Sequence, residues 1–451
     1  MIGRLSLAFL LSGTALATPA AAQDSEAVAA ELRALREHVQ QLEARLAAAE
    51  ARAAAQAPAQ SPAAASTAPA APSTDFRGAP TLRSGEWSFK PRGRLQYDAG
   101  WIESPEGIDD RGLGFGNELR RARLGVEGTM PGNFGYVFEL DFADNNVEIV
   151  DAILTWQPSD SVTLTAGQHN PFQSIEELTS SRFTSFIERA AFTDAFNFQR
   201  RVGLSATWSD GPLIVQAGAF SDNIEALGSD ENNSAGADAR IVYAPKSGDT
   251  QLHFGASAHY RSSGDLDESG VTTRYRQRPL IHFTDTRFVG TPALSVEEET
   301  NYGLEAALVR GPIHAAGELH WFRPDATNLA DTPTLFGGYA EIGWYLTGET
   351  RGYRGGRWDR TRVANPVGGD DGGLGAFQIN LRYDHLDLNS GSIRGGRQAG
   401  YLASLIWIPQ DYFRLLINVG HLRHSDATVP AGGGDRSYGV NVAAVRAQVD
   451  F

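Results

Sequence analysis

The chain contains no cysteine in 451 residues, which removes disulfide scaffolds, thiol catalysis and thiolate metal sites together. Lysine is almost missing as well. Only Lys90 and Lys246 occur, so nearly all of the 39 positive charges are guanidiniums. After the first residues no stretch is long and apolar enough for a transmembrane helix, so a membrane could be crossed only by strands. The 39 basic residues face 54 acidic ones, and the formal charge of -15 disfavours nucleic acid, which needs a dense basic face. There is no GxSxG, no HExxH and no glycine-rich phosphate loop with lysine. The chain is therefore not expected to be an enzyme, and no cofactor or metal is expected.

What is present divides into four segments. In residues 1–22, Arg4 precedes an apolar run from Leu5 to Ala17, with small residues at Ala20 and Ala22, the pattern of a signal peptide. In residues 23–56, Val28, Leu32, Leu35, Val39, Leu42, Leu46, Ala49 and Ala53 recur at spacings of four and three, which predicts a coiled-coil helix that needs a partner. Residues 57–84 are rich in Ala and Pro and read as a linker. From residue 85 to 451 the period changes to two.

In "YVFELDF", Tyr136, Phe138, Leu140 and Phe142 share one face while Val137, Glu139 and Asp141 share the other. At the C-terminus Phe451, Val449, Ala447, Val445 and Ala443 alternate with Asp450, Gln448 and Arg446. Short turns such as Pro131-Gly132-Asn133, Asp210-Gly211-Pro212 and Gly311-Pro312 alternate with longer polar loops, for example 221–236 and 351–373. Aromatics near the segment ends and a terminal Phe favour a membrane barrel over a soluble sandwich. The predicted fold is all-β: a transmembrane antiparallel β-barrel of about sixteen strands, at about 23 residues for each strand with its connection.

The motifs "KPRGRLQYD", "LRRARLGVEG", "GQHNPFQSIEELTSSRFTSFIERA", "ARIVYAP", "GWYLTGETRGY" and "VRAQVDF" occur in this order, and the chain resembles the phosphate-selective porin O and P family. The resemblance implies a sixteen-stranded, trimeric outer-membrane porin whose third external loop folds into the channel. Residues from Pro171 to about Phe198 would form that loop, with Arg182, Glu188 and Arg189 at the constriction. Phosphate-specific members are similar in carrying lysines there, whereas this loop has none.

Strand parity assigns lumen positions. Arg121, Arg123, Arg201, Arg240, Arg261, Arg382, Arg414 and Arg446 fall on polar faces, as do the carboxylates Glu139, Asp141 and Asp151. In "TRYRQRP", Tyr275 is expected to face lipid and Arg274, Arg276 and Arg278 the lumen. Successive guanidiniums offer a passing anion several weak sites, as conduction requires. About half are expected to be tied up by wall carboxylates. His253, His259, His314 and His320 also fall on lumen faces and are read as polar lining rather than metal ligands.

The expected function is a water-filled channel for small solutes, chiefly anions such as phosphate or pyrophosphate, with weak to moderate selectivity. The alternative is an envelope tether reaching a periplasmic partner or peptidoglycan through the coiled coil. Expected partners are small anions, outer-membrane lipid and two further copies in a homotrimer. The expected location is the outer membrane, with the N-terminal segment in the periplasm.

Overall fold

The computed structural model describes residues 73–228, 234–263, 272–369 and 372–451, together with Glu37, Gln40, Gln41, Ala44, Arg45 and Ala48. The chain separates into two compact units, Met1–Ala68 and Pro69–Phe451. The six described residues of the first unit are helical and exposed. The apolar seam of the heptads and the signal peptide lie outside the described residues.

Sixteen long strands build the second unit. They are β1 (Trp87–Ile102), β2 (Gly114–Met130), β3 (Phe134–Asp141), β4 (Glu148–Ser159), β5 (Val162–His169), β6 (Arg201–Asp210), β7 (Leu213–Phe220) and β8 (Ala235–Tyr243). The second half comprises β9 (Thr250–Ser262), β10 (Val296–Arg310), β11 (Ile313–Ala326), β12 (Leu335–Tyr345), β13 (Ala376–Ser390), β14 (Ile393–Gln410), β15 (Phe413–Ser425) and β16 (Gly439–Asp450). Each strand pairs antiparallel with its sequence neighbours, and β16 returns to β1 from Asp450↔Arg94 to Val442↔Ile102. Closure leaves none of the sixteen wall strands at a sheet edge, the condition for backbone at membrane depth.

Alternation sets the register. Leu124, Leu140 and Phe138 stand outward on paired strands, while Glu139 pairs with Asp151 inward. Phe134 stacks on Trp156 at 5.9 Å and Phe377 on Trp407 at 6.2 Å, forming an outer aromatic girdle near the turn end of the barrel. The last residue seals the seam: Gly93 and Phe451 exchange two backbone hydrogen bonds of 3.0 Å. A Cβ at Gly93 would lie 2.3 Å from the Phe451 ring, so only glycine leaves room for that ring.

Three sequence expectations require correction. Residues 351–373 do not belong with the loop-end connections, because 346–375 joins β12 to β13 at the end that carries the short turns. That segment holds a small hairpin, Gly352–Arg354 paired with Arg357–Asp359. The stretch around Tyr275 is not a wall strand. It lies in the connection between β9 and β10, and Tyr275 is fully buried with its hydroxyl on Glu299 at 3.0 Å. Finally, Ser73–Phe76 and Pro80–Ser84, at the end of the expected linker, form a strand pair that continues onto β1 through Leu82↔Phe89.

The interior is divided. Along β10 to β15 the lumen is packed with apolar side chains, Phe192 and Phe196 from an inserted loop and Phe322, Leu335 and Leu386 from the wall strands themselves. Along β1 to β6 the wall remains polar and partly exposed.

Candidate functional site

The 170–200 connection, here called L3, lies inside the barrel, held by wall groups along its length. It begins with a helical turn, α1 (Ile175–Leu178), whose Ser174 hydroxyl accepts the Glu177 N–H at 3.1 Å. The N–H groups of Ile175 and Glu176, unmatched within so short a helix, donate to the Glu318 carboxylate of β11 at 3.1 and 2.9 Å. Arg189 closes the other end by donating to the carbonyls of Glu176, Glu177 and Thr179. Farther along, Ser181 accepts from Arg94 at 2.7 Å and Ser185 donates to Glu341 at 2.9 Å. In α2 (Ala191–Ala195) the Ala191 N–H donates to Asp384 at 3.1 Å, and Phe192 stacks on His320 at 4.3 Å.

Charges on L3 respond to where they sit. Burial works against ionisation of Glu188, but Arg120 and Arg446 outweigh it and hold the carboxyl well below the ordinary range. Glu176 and Glu177 go the other way: burial raises both, and Arg382 and Arg189 offset only part of it. Burial also lowers Arg182, with partial compensation from Asp450.

The sequence-derived arginines fall into three groups. Arg240 forms a fork on Glu305 with two bonds of 2.7 Å, and Arg446 one on Asp98 with two of 2.6 Å. Arg382 joins Glu341 at 2.6 Å to Glu176 at 2.8 Å. Arg201 and Arg261 both reach Glu299 at 3.5 Å, and Arg414 donates to the carbonyls of Arg182 and Thr184. These six are tied to carboxylates or to L3. A second group, Arg274, Arg276 and Arg278, belongs to the β9 to β10 connection, where Arg278 pairs with Asp194 at 3.6 Å and Asp285 at 3.5 Å. The third is the pair on β2: Arg121 donates to Gln96 at 2.9 Å, and Arg123 contacts Asp141 at 2.7 Å and Glu139 at 3.6 Å. Asp151 holds Arg200 at 2.7 Å.

Around Arg123 the structure assembles a cluster that parity alone left incomplete. Lys90, Arg92 and Arg94 alternate along the inner face of β1. The buried Glu139 carboxylate meets Arg92 at 3.3 Å, Arg123 at 3.6 Å and Arg94 at 3.8 Å. Lys90 and Arg92 share Glu127 at 3.8 and 3.4 Å, and Arg182 approaches from L3 with Asp450 at 3.7 Å. Five cations thus surround Glu139, Glu127 and Asp450, with Asp141 on the flank. The "KPRGR" alternation carries the signal for Lys90, Arg92 and Arg94. Arg200 and Arg360 come from aperiodic segments, which parity cannot read.

Above the cluster, toward the loop end, a cavity of about 390 Å³ is lined by five arginines, Arg278 of the β9 to β10 connection among them, and by as many carboxylates, those of Glu148, Glu177, Glu188, Asp194 and Glu225. Below it the turn-end hairpin rises under L3. The Trp358 N–H donates to Thr179 Oγ1 at 3.2 Å, Arg240 donates to the Gly356 carbonyl at 2.8 Å, and Arg351 donates to Ser185 and to the Phe183 carbonyl. The Arg182 and Arg360 guanidiniums both lie over the Phe183 ring, at 5.1 and 5.2 Å.

The four sequence-derived lumen histidines are all engaged: His253 with Glu305, His259 with Asp238, His314 with Arg351 and His320 with Asn301. No group of three potential ligands is placed to hold a metal among the described residues.

Comparison with known proteins decides what this architecture belongs to. The family model for phosphate-selective porin O and P matches residues 89–451. The chain belongs to the phosphate-selective porin O and P family. This porin is 51% identical over 384 residues to an uncharacterised protein of Caulobacter vibrioides, covering 83% of this chain and 76% of the relative. It is 25% identical over 344 residues to Porin O of Pseudomonas aeruginosa, covering 68% and 74%. Among solved structures it is similar in fold to OmpT of Vibrio cholerae, with a TM-score of 0.52, 11% identity and coverage of 82% and 100%. An anion-selective porin from Comamonas acidovorans gives a TM-score of 0.52 at 11% identity, covering 81% and 100%. Family and fold are those of an outer-membrane channel rather than an enzyme, and the tether reading gains no support from them.

Proposed function

We propose that this porin passes small solutes by diffusion and favours anions, phosphate and pyrophosphate among them, without a strict phosphate site. The observation that carries the reading is the lumen cluster in which Lys90, Arg92, Arg94, Arg123 and Arg182 outnumber the carboxylates they meet. A guanidinium with donors to spare can exchange an anion's water for hydrogen bonds and release it again, because adjacent carboxylates compete. The path runs from the loop-end cavity past L3 along β1 and β2. Arg240, Arg382 and Arg446 stand outside it and act as wall fasteners.

The family's name supports an anionic cargo, and the absence of lysine from L3 supports weak rather than strict preference. A homotrimer is the proposed assembly, supported by the family and by the trimer form solved for the OmpT neighbour. The N-terminal segment is proposed to face the periplasm, since the barrel chain begins and ends at the turn end. Planar-bilayer recording tests the selectivity. A reversal potential on the anion side in a chloride gradient, with no block of chloride current by micromolar phosphate, is expected; cation preference would overturn the reading.

A further inference from the structure

In the loop-end cavity the two signs of charge are equal in number but not in engagement. Three of its carboxylates are held by arginines of the same lining: Glu188 by Arg120 at 3.0 Å, Glu177 by Arg189 at 3.4 Å and Asp194 by Arg278 at 3.6 Å. The other two arginines, Arg123 and Arg200, are held by Asp141 and Asp151, each at 2.7 Å, and these carboxylates lie outside the lining. Glu148 and Glu225 remain. Both are exposed, and neither carboxylate has an ion-pair or hydrogen-bond partner among the described residues. The fold brings them together: Gln168 of β5, 1% exposed, accepts the Ile224 N–H at 2.6 Å and donates to the Ile149 carbonyl at 2.5 Å. One buried amide thus clips the β7 to β8 connection to the start of β4, and the two carboxylates belong to the residues beside the clipped ones. Asn223 donates to the Arg200 carbonyl at 3.2 Å and accepts the Glu225 N–H at 3.0 Å, which sets Glu225 next to the end of L3. Two like charges fixed on adjoining backbone repel each other, and a cation between them relieves the repulsion.

A further group indicates what that cation is. Gln277 lines the same cavity at 3% exposure, and its Oε1 has no hydrogen-bond partner among the described residues. A buried acceptor of this kind calls for a donor, and a cation bearing N–H groups supplies one. A divalent metal fits less well, because it needs several oxygens at once and five guanidiniums share the space. Arg200 donates through Nε alone among the described residues, so its two terminal nitrogens keep their donors for an anion. Since Glu225 and Arg200 are neighbours, both signs lie within reach of one small molecule.

We infer that the loop-end cavity is a loading site for small zwitterions, solutes that carry an ammonium as well as a phosphate or carboxylate. Glu148, Glu225 and Gln277 Oε1 receive the ammonium, while Arg200 takes the anionic end and hands it on to Arg123 and the cation cluster. The inference rests on the anion reading for the anionic half of the solute and adds recognition of an amine to it.

The test uses proteoliposomes containing the full chain, with aminoethyl phosphate and ethyl phosphate as probes that differ in the amine. Below saturation, wild-type protein should take up aminoethyl phosphate about fivefold faster than ethyl phosphate, the weight of one solvent-accessible ion pair. E148Q with E225Q should bring the ratio close to one, while ethyl phosphate enters no more slowly than before. E298Q with D325N, an exposed pair facing outward at the same end of the barrel, should keep the wild-type ratio. Heat-modifiable migration on gels verifies that each variant is folded. Equal uptake of the two solutes by wild type, a ratio unmoved by E148Q with E225Q, or a ratio lowered as much by E298Q with D325N would each overturn the inference. So would loss of the preference in micromolar calcium, which would mark the two carboxylates as a metal site. Reversal potentials in a chloride gradient report the anion reading separately. Anion selectivity without amine preference defeats the inference alone, and amine preference in a cation-selective channel defeats the anion reading alone.

Discussion

Glu139 shows how a single side chain can set the balance of a pore. Its carboxylate meets Arg92, Arg94 and Arg123, so it holds three like charges together while leaving them in excess. Removing its charge in E139Q should raise the anion-to-cation permeability ratio, and R92A with R94A should lower it; reversal potentials measure both. Glu177 gives the pH dependence. Burial raises its carboxyl above the ordinary glutamate value, so it takes up a proton at a higher pH than an exposed glutamate does, and Arg189 and Arg200 beside it lose a compensating charge. Anion preference should therefore grow between neutral pH and about 5, near the ordinary carboxylate range, and E177Q should show the acid value already at neutrality. Glu188 has the opposite sign. Its depressed value means that its hold on L3 is complete above the ordinary glutamate pKa and is lost only as pH falls through the lower folded value. L3 should thus stay docked throughout the window in which Glu177 titrates. An unchanged reversal potential across that window would exclude Glu177 as the titrating group.

At the scale of elements, L3 and the turn-end hairpin decide the bore together. L3 depends on Glu318, which receives two backbone N–H groups at the start of α1. E318A leaves both donors unmatched in a buried place, at a cost of about 1–3 kcal/mol for each. The expected result is a noisier open-channel current with larger conductance steps, while the barrel itself still folds. How far the sequence disclosed these elements follows from periodicity. Strands such as β3 and β16, with an apolar side and a polar side, could be read residue by residue, because lipid and lumen impose opposite demands on alternate positions. The stretch at 274–278 also alternates, but Tyr275 meets Glu299 inside the barrel instead of lipid outside it. Local alternation does not tell which oily surface a residue meets. The 346–375 segment has no period, and its hairpin becomes visible only through long-range partners such as Thr179 and Arg240. The same limit hid Arg360 from parity, whereas Lys90, Arg92 and Arg94 were within its reach.

For the molecule as a whole, stability rests on the seam between β16 and β1. Phe451 lies against Gly93, and the two exchange backbone hydrogen bonds. G93V would push the terminal ring off its seat, an overpacking cost of about 1–3 kcal/mol. The variant should convert from folded to unfolded mobility on semi-native gels at a lower temperature than wild type, with single-channel conductance unchanged. Loss of conductance at full thermal stability would show that the seam also shapes the passage.

The one-sided filling of the barrel has a consequence for how such tubes diversify. Where Phe192, Phe196 and Phe322 occupy the interior, the wall has oil on both faces; on the opposite side it has oil on one and water on the other. Strand number fixes the girth of the pipe, but the inserts fix its clearance. Trading the lining while keeping the casing would yield a different sieve from the same hoop of strands.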